Sequence, residues 1–381
     1  SRELQHRFFT NDGKGNFQLS GDAFPSNKDN VGAVAAYDFD GDGDEDLFVG
    51  ARNVSGQYGA TPLSHMYINN GKGIFTDMAA EKMQGISNAG LVTGAVWAAI
   101  NTDDEKVLVV TGEWMSPRIF MYTQEHFVQL ETNLEDKSGW WQTVAAKDLD
   151  GDGREDLVLG NFGDNFCFHP DEKRPVKIWM NDFDGNGVTD KIISKTVDGK
   201  DKPVFMKRDV QEGLPFLKKQ NLRHAEYATN SIQELFSKEQ LTNASVKEVN
   251  YLSSCIAFSK GGGNFDIRPL PVAVQLSSLR AVAFADVNKD GNIDMVLGGN
   301  EFNFQPQLGR LDANPGYVLL NDGKGNFTLS GKGQSGLGLT GMVRDIVVIK
   351  GKAGDYLLFL RNSEQPVLFE LKKLTVKNKG G

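Results

Sequence analysis

Four short stretches of this chain place acidic and amide side chains at alternate positions, a pattern that suits a hard divalent cation. Each follows Asp-x-Asp/Asn-x-Asp/Asn-Gly-x-x-Asp, so that loop positions 1, 3, 5 and 9 offer side-chain oxygens. The four sets are Asp38, Asp40, Asp42 and Asp46; Asp148, Asp150, Asp152 and Asp156; Asp182, Asp184, Asn186 and Asp190; and Asp286, Asn288, Asp290 and Asp294. Position 7, occupied by Asp44, Arg154, Val188 and Asn292, offers a backbone carbonyl, and the glycine at position 6 permits the sharp bend. Calcium takes six to eight oxygens in a flexible geometry, whereas magnesium demands a strict octahedron and zinc prefers nitrogen or sulfur. The pattern therefore predicts up to four calcium ions. An EF-hand is excluded, because it needs a bidentate glutamate at position 12 and flanking helices. Position 12 is Val49, Leu159, Ile193 and Leu297, each inside a β-rich run. Turn chemistry alone also favours Asp, Asn and Gly, but four copies in one frame, each between two strand-like runs, exceed what turns require. Together they hold fourteen carboxylates that repel one another without a cation, and four calcium ions would nearly cancel the net charge of −9.

The elements that must hold these loops form a repeat. Val34–Asp46–Gly50, Val144–Asp156–Gly160, Ile178–Asp190–Ile193 and Val282–Asp294–Gly298 share one frame of strand, acidic loop and strand. Gly94–Ala99 with Val107–Gly112, and Met342–Ile349 with Tyr356–Leu360, keep the strands and lose the acids, making six copies. A second unit, Asn69-Asn-Gly-Lys-Gly-Ile-Phe75 or Asn321-Asp-Gly-Lys-Gly-Asn-Phe327, with a relic at Gly261–Phe265, sits between further β-rich runs and signals a hairpin. Four antiparallel strands repeated every 50–60 residues or so are the sequence mark of propeller blades. The expected fold is thus all-β: a β-propeller of six or seven four-stranded antiparallel blades, seven being the favoured count, with one helical insertion. Residues 1–20 read as a hairpin from the ring-closing or a preceding blade and 21–376 as the propeller. The insertion spans 212–245, with a capping box at Ser231-Ile-Gln-Glu234.

Composition limits the alternatives. No run approaches the roughly 18 apolar residues of a membrane span, and no diffuse basic footprint for nucleic acid exists. Ser1–Thr10 has no signal-peptide core, so a targeting segment is expected to have been removed or to lie upstream in a larger protein. Cys167 and Cys255 are too few for a disulfide framework and read either as a pair or as two free thiols. The fragment is expected to be monomeric.

The acidic loops and Asn-Asp-Gly-Lys-Gly-Asn-Phe turns resemble the FG-GAP/VCBS repeats of integrin α-chain propellers and bacterial surface proteins. More closely, Gly112–Pro117, Gly139-Trp-Trp141, Gly160–Asn165, Leu214–Lys219 and Leu308–Ala313 resemble the C-terminal propeller region of bacterial proteins related to the cartilage acidic protein (ASPIC/UnbV) group. That resemblance implies an exported or outer-membrane-attached polypeptide with calcium-binding blades, on the cell surface, in the periplasm or secreted. Asn101-Thr-Asp-Asp-Glu105 departs from a full calcium loop and is assigned no metal.

If each acidic loop joins the first strand of a blade to its second, the segment after the second strand emerges on the opposite face of the disc. Those segments carry Arg52, Glu113, Trp114, Asn161, Asn300, Glu301 and Arg361, with Trp140, Trp141 and Arg310 nearby. Aromatic faces with amides and charges suit a sugar or peptide, although the same residues could instead satisfy one another and plug the channel mouth. No catalytic residue is assigned. The five histidines are scattered, and Gly-Lys-Gly belongs to hairpin turns rather than to a phosphate loop. The expected function is a binding or scaffold module for a glycan or protein. The alternative is a glycan-active enzyme such as a polysaccharide lyase, with Arg310, His169 and Arg361 as candidates.

Overall fold

The computed structural model describes residues 4–102, 105–217, 223–331, 337–352 and 354–371. Asp103 and Asp104 of the degenerate loop, Lys218 and Lys219, and the expected boundary at 376 lie outside the described residues. The chain opens with a hairpin of β1 (Phe8–Asn11) and β2 (Phe17–Ser20). Its turn is dictated locally: the Asp12 carboxylate accepts the N–H groups of Lys14 and Asn16, closing the loop from within. Asp322 does the same for Lys324 and Asn326, and Asn70 for Lys72 and Ile74.

Consecutive antiparallel strands then build β3 (Asn30–Tyr37), β4 (Asp46–Asn53), β5 (His65–Asn69) and β6 (Phe75–Asp77) into one sheet. A second sheet holds β7 (Leu91–Ala98), β8 (Val107–Met115), β9 (Arg118–Thr123) and β10 (His126–Leu130), with the short β11 (Gly139–Trp140) added to the end of β8. The third opens with β12 (Thr143–Lys147) and β13 (Asp156–Gly160), after which the chain leaves it. It forms a separate sheet of β14 (Val176–Asn181), β15 (Asp190–Val197), β16 (Lys200–Pro203) and β17 (Ser245–Val249). Among the described residues, four short helices lie between β16 and β17: α1 (Lys207–Gly213), α2 (His224–Thr229), α3 (Ile232–Leu235) and α4 (Lys238–Thr242). The chain then returns as β18 (Cys255–Ser259) and β19 (Phe265–Pro269), and β18 pairs with β13 to complete the third sheet. The last two sheets are β20 (Leu279–Ala285), β21 (Asp294–Gly299), β22 (Tyr317–Asn321) and β23 (Phe327–Leu329), then β24 (Val343–Lys350), β25 (Asp355–Arg361) and β26 (Val367–Glu370).

Five sheets stand in series through their first strands: β3 packs on β7, β7 on β12, β12 on β20 and β20 on β24. Where the strands converge, space tapers, and small residues meet the requirement: Ala33 and Ala35 in β3, Ala145 and Ala146 in β12, Ala281, Ala283 and Ala285 in β20. Glycine ends the second strands for a related reason. A Cβ at Gly112 would lie 2.2 Å from the Leu91 carbonyl oxygen, and one at Gly160 2.4 Å from that of Leu279. Larger side chains fill the wedges between sheets, with Phe48, Met66 and Phe120 between the first and second and Trp141, Leu157 and Leu159 between the second and third. Each fully buried Leu, Val or Phe contributes about 1.5–3 kcal/mol, so these wedges hold the series together.

One expectation changes. The Ile178 copy of the repeat is not one of the five serial sheets, because its hairpin β14–β15 belongs to the excursion and packs through β17 against β8 and β11. The helices lie inside that sheet, between β16 and β17, and pack on it around Trp179, Phe183, Leu217, Tyr227 and Phe236. Ser231 caps α3 through the reciprocal bond with Glu234. Cys167 and Cys255 are both free thiols, the first exposed and the second buried.

Candidate functional site

The four acidic loops share one internal architecture. Position 1 folds the loop around itself: Asp38 accepts from the N–H groups of Gly41, Asp42 and Gly43, Asp148 from Gly151 and Gly153, Asp182 from Asn186 and Gly187, and Asp286 from Asp290 and Gly291. Position 9 ties the loop to the third strand. Asp46 accepts from Asn69, Asp156 from Ser259 and Asp294 from Asn321, while in the excursion Asp190 accepts from Phe183. Three loops draw carboxylate oxygens within 4.8 Å of one another: Asp38, Asp40 and Asp42; Asp148, Asp150 and Asp156; Asp182, Asp184 and Asp190. In the second loop Asp152 is turned towards the guanidinium of Arg154. In the fourth, the Asn288 amide donates to Asp290 at 2.8 Å.

This donor set fits a divalent cation. Asp46 Oδ2 is buried and has no hydrogen-bond partner, an orphaned acceptor facing other carboxylates. Burial, with added repulsion from Asp40 and Asp42, pushes the Asp46 carboxyl up to about 6. Burial and the nearby Asp150 and Asp152 push Asp156 up to about 7. Asp190 and Asp294 are raised too, burial again being the largest cause. Held together in this way, the carboxylates would be relieved either by protonation or by a bound cation.

The second site lies at the other end of the strands. From Asp46 to Arg52 on β4, at about 3.3 Å per residue, the two ends are roughly 20 Å apart. A cavity of ≈ 320 Å³ opens there, lined by Arg52, Glu113, Trp114, Trp140 and Glu301 from the expected ligand face. Arg52 pairs with Glu113 at 2.7 Å, Tyr58 Oη donates to the same carboxylate at 2.7 Å, and Trp114 Nε1 donates to Tyr58 Oη at 2.9 Å. Glu301 pairs with Arg280 and faces Arg344 at 3.8 Å. The wall is aromatic: Trp140 meets Trp114 edge-on at 5.0 Å and stacks on Phe162 at 5.7 Å, and Phe166, Phe168 and Phe304 continue it. Trp114 holds φ at 60°, a left-handed conformation costly for a bulky residue, so β8 is bent to place its indole. Arg52, Arg280 and Arg344 also line a second cavity between the first strands, beside Thr93, Gln142, Asp345 and Asn362.

The remaining expected ligand residues lie elsewhere. Trp141 is fully buried in the wedge between the second and third sheets, because in a strand its side chain points opposite to that of Trp140. Asn161 is buried and donates to the Tyr251 carbonyl, and Asn300 bonds Asn314, Gly341 and Ser277, so both amides brace loops. Arg310 lies over the Phe302 ring at 3.6 Å with Asp312 beside it, and Arg361 binds the carbonyls of Thr340 and Gln365. His169 is exposed in a separate outer groove with Lys137 and Arg174.

Sequence reasoning missed Tyr58, Arg280, Arg344, Phe166, Phe168 and Phe304. Arg280 and Arg344 occupy first strands among apolar neighbours, and a lone charge inside such a run is the signal that could have found them. The dense Phe162-x-x-x-Phe166-x-Phe168 spacing in a loop is another.

Residues 4–49 match the family of the FG-GAP-like repeat, a segment that holds the first hairpin, β3 and the start of β4 with the loop between them. No curated protein matches the chain significantly. Among solved structures, an ancestral GH74 enzyme is 10% identical over 95% of this chain and 48% of that chain, with a TM-score of 0.30. Sqt1 of Saccharomyces cerevisiae is 10% identical over 90% and 96%, at 0.23, and the V. cholerae biofilm matrix protein Bap1 is 12% identical over 87% and 74%, at 0.26. The chain spans about half the length of the GH74 enzyme, and scores of this size carry no argument about ligand or activity. The chain thus carries an FG-GAP-like repeat at its front and, behind it, a series of antiparallel and mostly four-stranded sheets. No helix among the described residues is long and apolar enough to cross a membrane.

Proposed function

We propose that this chain is a calcium-stabilised, extracytoplasmic β-propeller that serves a larger surface protein as a binding or scaffold module for a glycan or protein. The observation that carries the binding reading is the convergence of Arg52, Glu113, Trp114, Trp140 and Glu301 on one aromatic-walled cavity. They come from two sheets and from the segment that follows β21. A few charged groups set in an apolar concave wall are the usual composition of a ligand pocket. The acidic loops, at the far end of the same strands, act structurally, with calcium tying each loop to the strands it joins. Extracellular calcium modules bind at about 10⁻⁴–10⁻³ M, which suits an exported setting. The particular resemblance to the cartilage acidic protein group fits the same setting.

The ring is read as six or seven blades. Phe8 and Phe24 cover the outer face of the first sheet at Val49, Tyr67 and Phe75, whereas Val347, Ile349 and Leu368 of the last sheet are exposed. The β1–β2 hairpin carries the turn found elsewhere between third and fourth strands. It is therefore read as the outer pair of a further blade between the last sheet and the first.

Binding and lyase catalysis make different demands on Tyr58, the one hydroxyl among the described residues that line the cavity. Burial and then the Glu113 carboxylate raise it well above the usual phenol range, so it stays protonated rather than serving as a base. A glycan array read first for retention and then for the near-ultraviolet absorbance of unsaturated uronates separates the two. Retention without absorbance supports the module, absorbance supports a lyase, and no retention of any glycan removes the glycan reading.

A further inference from the structure

The cavity is short of negative charge. Within it Arg52, Arg280 and Arg344 face two carboxylates, Glu113 and Glu301, a formal surplus of one positive charge that Asp345 offsets only in the adjoining cavity between the first strands. Arg280 is the most confined of the three. Its side chain is 8% exposed, and its Nε is buried with no hydrogen-bond partner although the residue lines the cavity. An unpaired donor on a buried cation is costly and calls for an acceptor. Burial pushes the Arg280 guanidinium down to about 10, with Glu301 and Glu113 opposing the shift and Arg344 and Arg52 adding to it. Arg344 is one-third exposed and holds Glu301 only at 3.8 Å, so its fork is free to take a second carboxylate.

Around this cationic centre the wall is aromatic, with Trp114, Trp140 and Phe304 among its members. The volume lies at the small end of the roughly 300–1,000 Å³ range of ligand pockets. One charged ring fits such a site better than a long chain laid flat. We propose that the cavity recognises a uronate residue of an acidic glycan, its carboxylate taken by Arg280 and Arg344 and its ring set against the aromatic wall. This deepens the glycan-binding reading and rests on it. Neutral sugars offer nothing to discharge the surplus, whereas a single carboxylate balances it.

The test uses uronate oligosaccharides, oligogalacturonate and hyaluronate fragments among them, beside their carboxyl-reduced neutral forms. Affinities are measured by titration calorimetry on the whole chain. The expected result is binding of an acidic form at least tenfold tighter than its reduced form. Arg344→Gln should abolish that preference and Arg344→Lys should restore part of it, with unchanged melting temperature. Equal binding of acidic and reduced forms overturns the uronate proposal while leaving the glycan module standing. An acidic preference that survives Arg344→Gln also overturns it, because the carboxylate then binds elsewhere. Failure of every glycan to bind removes both readings together.

Discussion

Asp156 accepts the N–H of Ser259 at 2.9 Å although 103 residues separate them, and its second oxygen accepts the N–H of Leu149 at 3.0 Å. One carboxylate thus fastens the acidic loop to β18 across the whole excursion, and makes the third sheet continuous despite the interruption. Asp294 repeats the bond to Asn321 and Asp46 the bond to Asn69, over ordinary connections. Asp156→Ala leaves two buried donors unpaired and is expected to cost about 2–4 kcal/mol of stability. Chemical denaturation checks this, and a loss under about 1 kcal/mol would count against the latch.

Calcium should show itself in melting. Adding millimolar calcium is expected to raise the melting temperature and chelation to lower it, because an ion bound only by the native state stabilises by mass action. The Asp148→Ala/Asp150→Ala double variant should lose part of that rise and retain the rest, which belongs to the other loops. A melting temperature indifferent to chelator would defeat the structural-calcium proposal.

Stability of the chelated protein should depend on pH with a definite sign. Asp46 and Asp156 are raised in the fold to about 6 and about 7, so the native state holds protons that the unfolded chain releases. Their protonated forms support the fold fully below the ordinary carboxylate value near 4, and that support is lost as pH rises through about 7. Chelated protein is therefore expected to melt higher at pH 5 than at pH 8, and the gain from added calcium should be larger at pH 8. Parallel melts at the two pH values decide it.

Gly139 lies where β11 meets the centre of the molecule. A Cβ there would stand 2.6 Å from Asn161 Nδ2 and 3.0 Å from both Trp141 Nε1 and the Tyr251 carbonyl oxygen. Gly139→Ala is expected to cost about 1–3 kcal/mol through overpacking. Urea denaturation measures it, and a neutral result would mean that the Asn161 and Trp141 side chains give way easily.

Trp141 and Tyr58 should behave differently. Trp141→Ala removes a fully buried side chain and is expected to cost about 3–5 kcal/mol. Tyr58→Phe removes one hydroxyl shared by Glu113 and Trp114, and is expected to weaken ligand binding several-fold with a smaller loss of stability. Paired melting and calorimetry distinguish the two; the reverse pattern would place the ligand against Trp141.

The strands and loops were legible because each is written locally. Asp12 and Asp322 fold their turns from within, and alternating acids at positions 38–46 do the same for an acidic loop. The face opposite the loops was legible too, since alternation along a strand and antiparallel return leave no choice about where Arg52, Glu113 and Glu301 emerge. Pairing across distance was not. The Ile178–Ile193 hairpin has the same turn chemistry as the serial sheets, and nothing in it states that β18, rather than β14, will join β13. The arginines of the cavity were hidden for a similar reason. Arg280 and Arg344 lie in first strands, and only their meeting around Glu301 turns two isolated charges into a site.

Hydrogen–deuterium exchange with and without the tightest glycan of the array tests the binding site most directly. Protection is predicted in the segments around Arg52–Tyr58, Glu113–Met115 and Glu301–Leu308, with the acidic loops and the outer groove near His169 unchanged. Protection confined to that groove or to the loops, or none in the cavity segments despite binding, would contradict it.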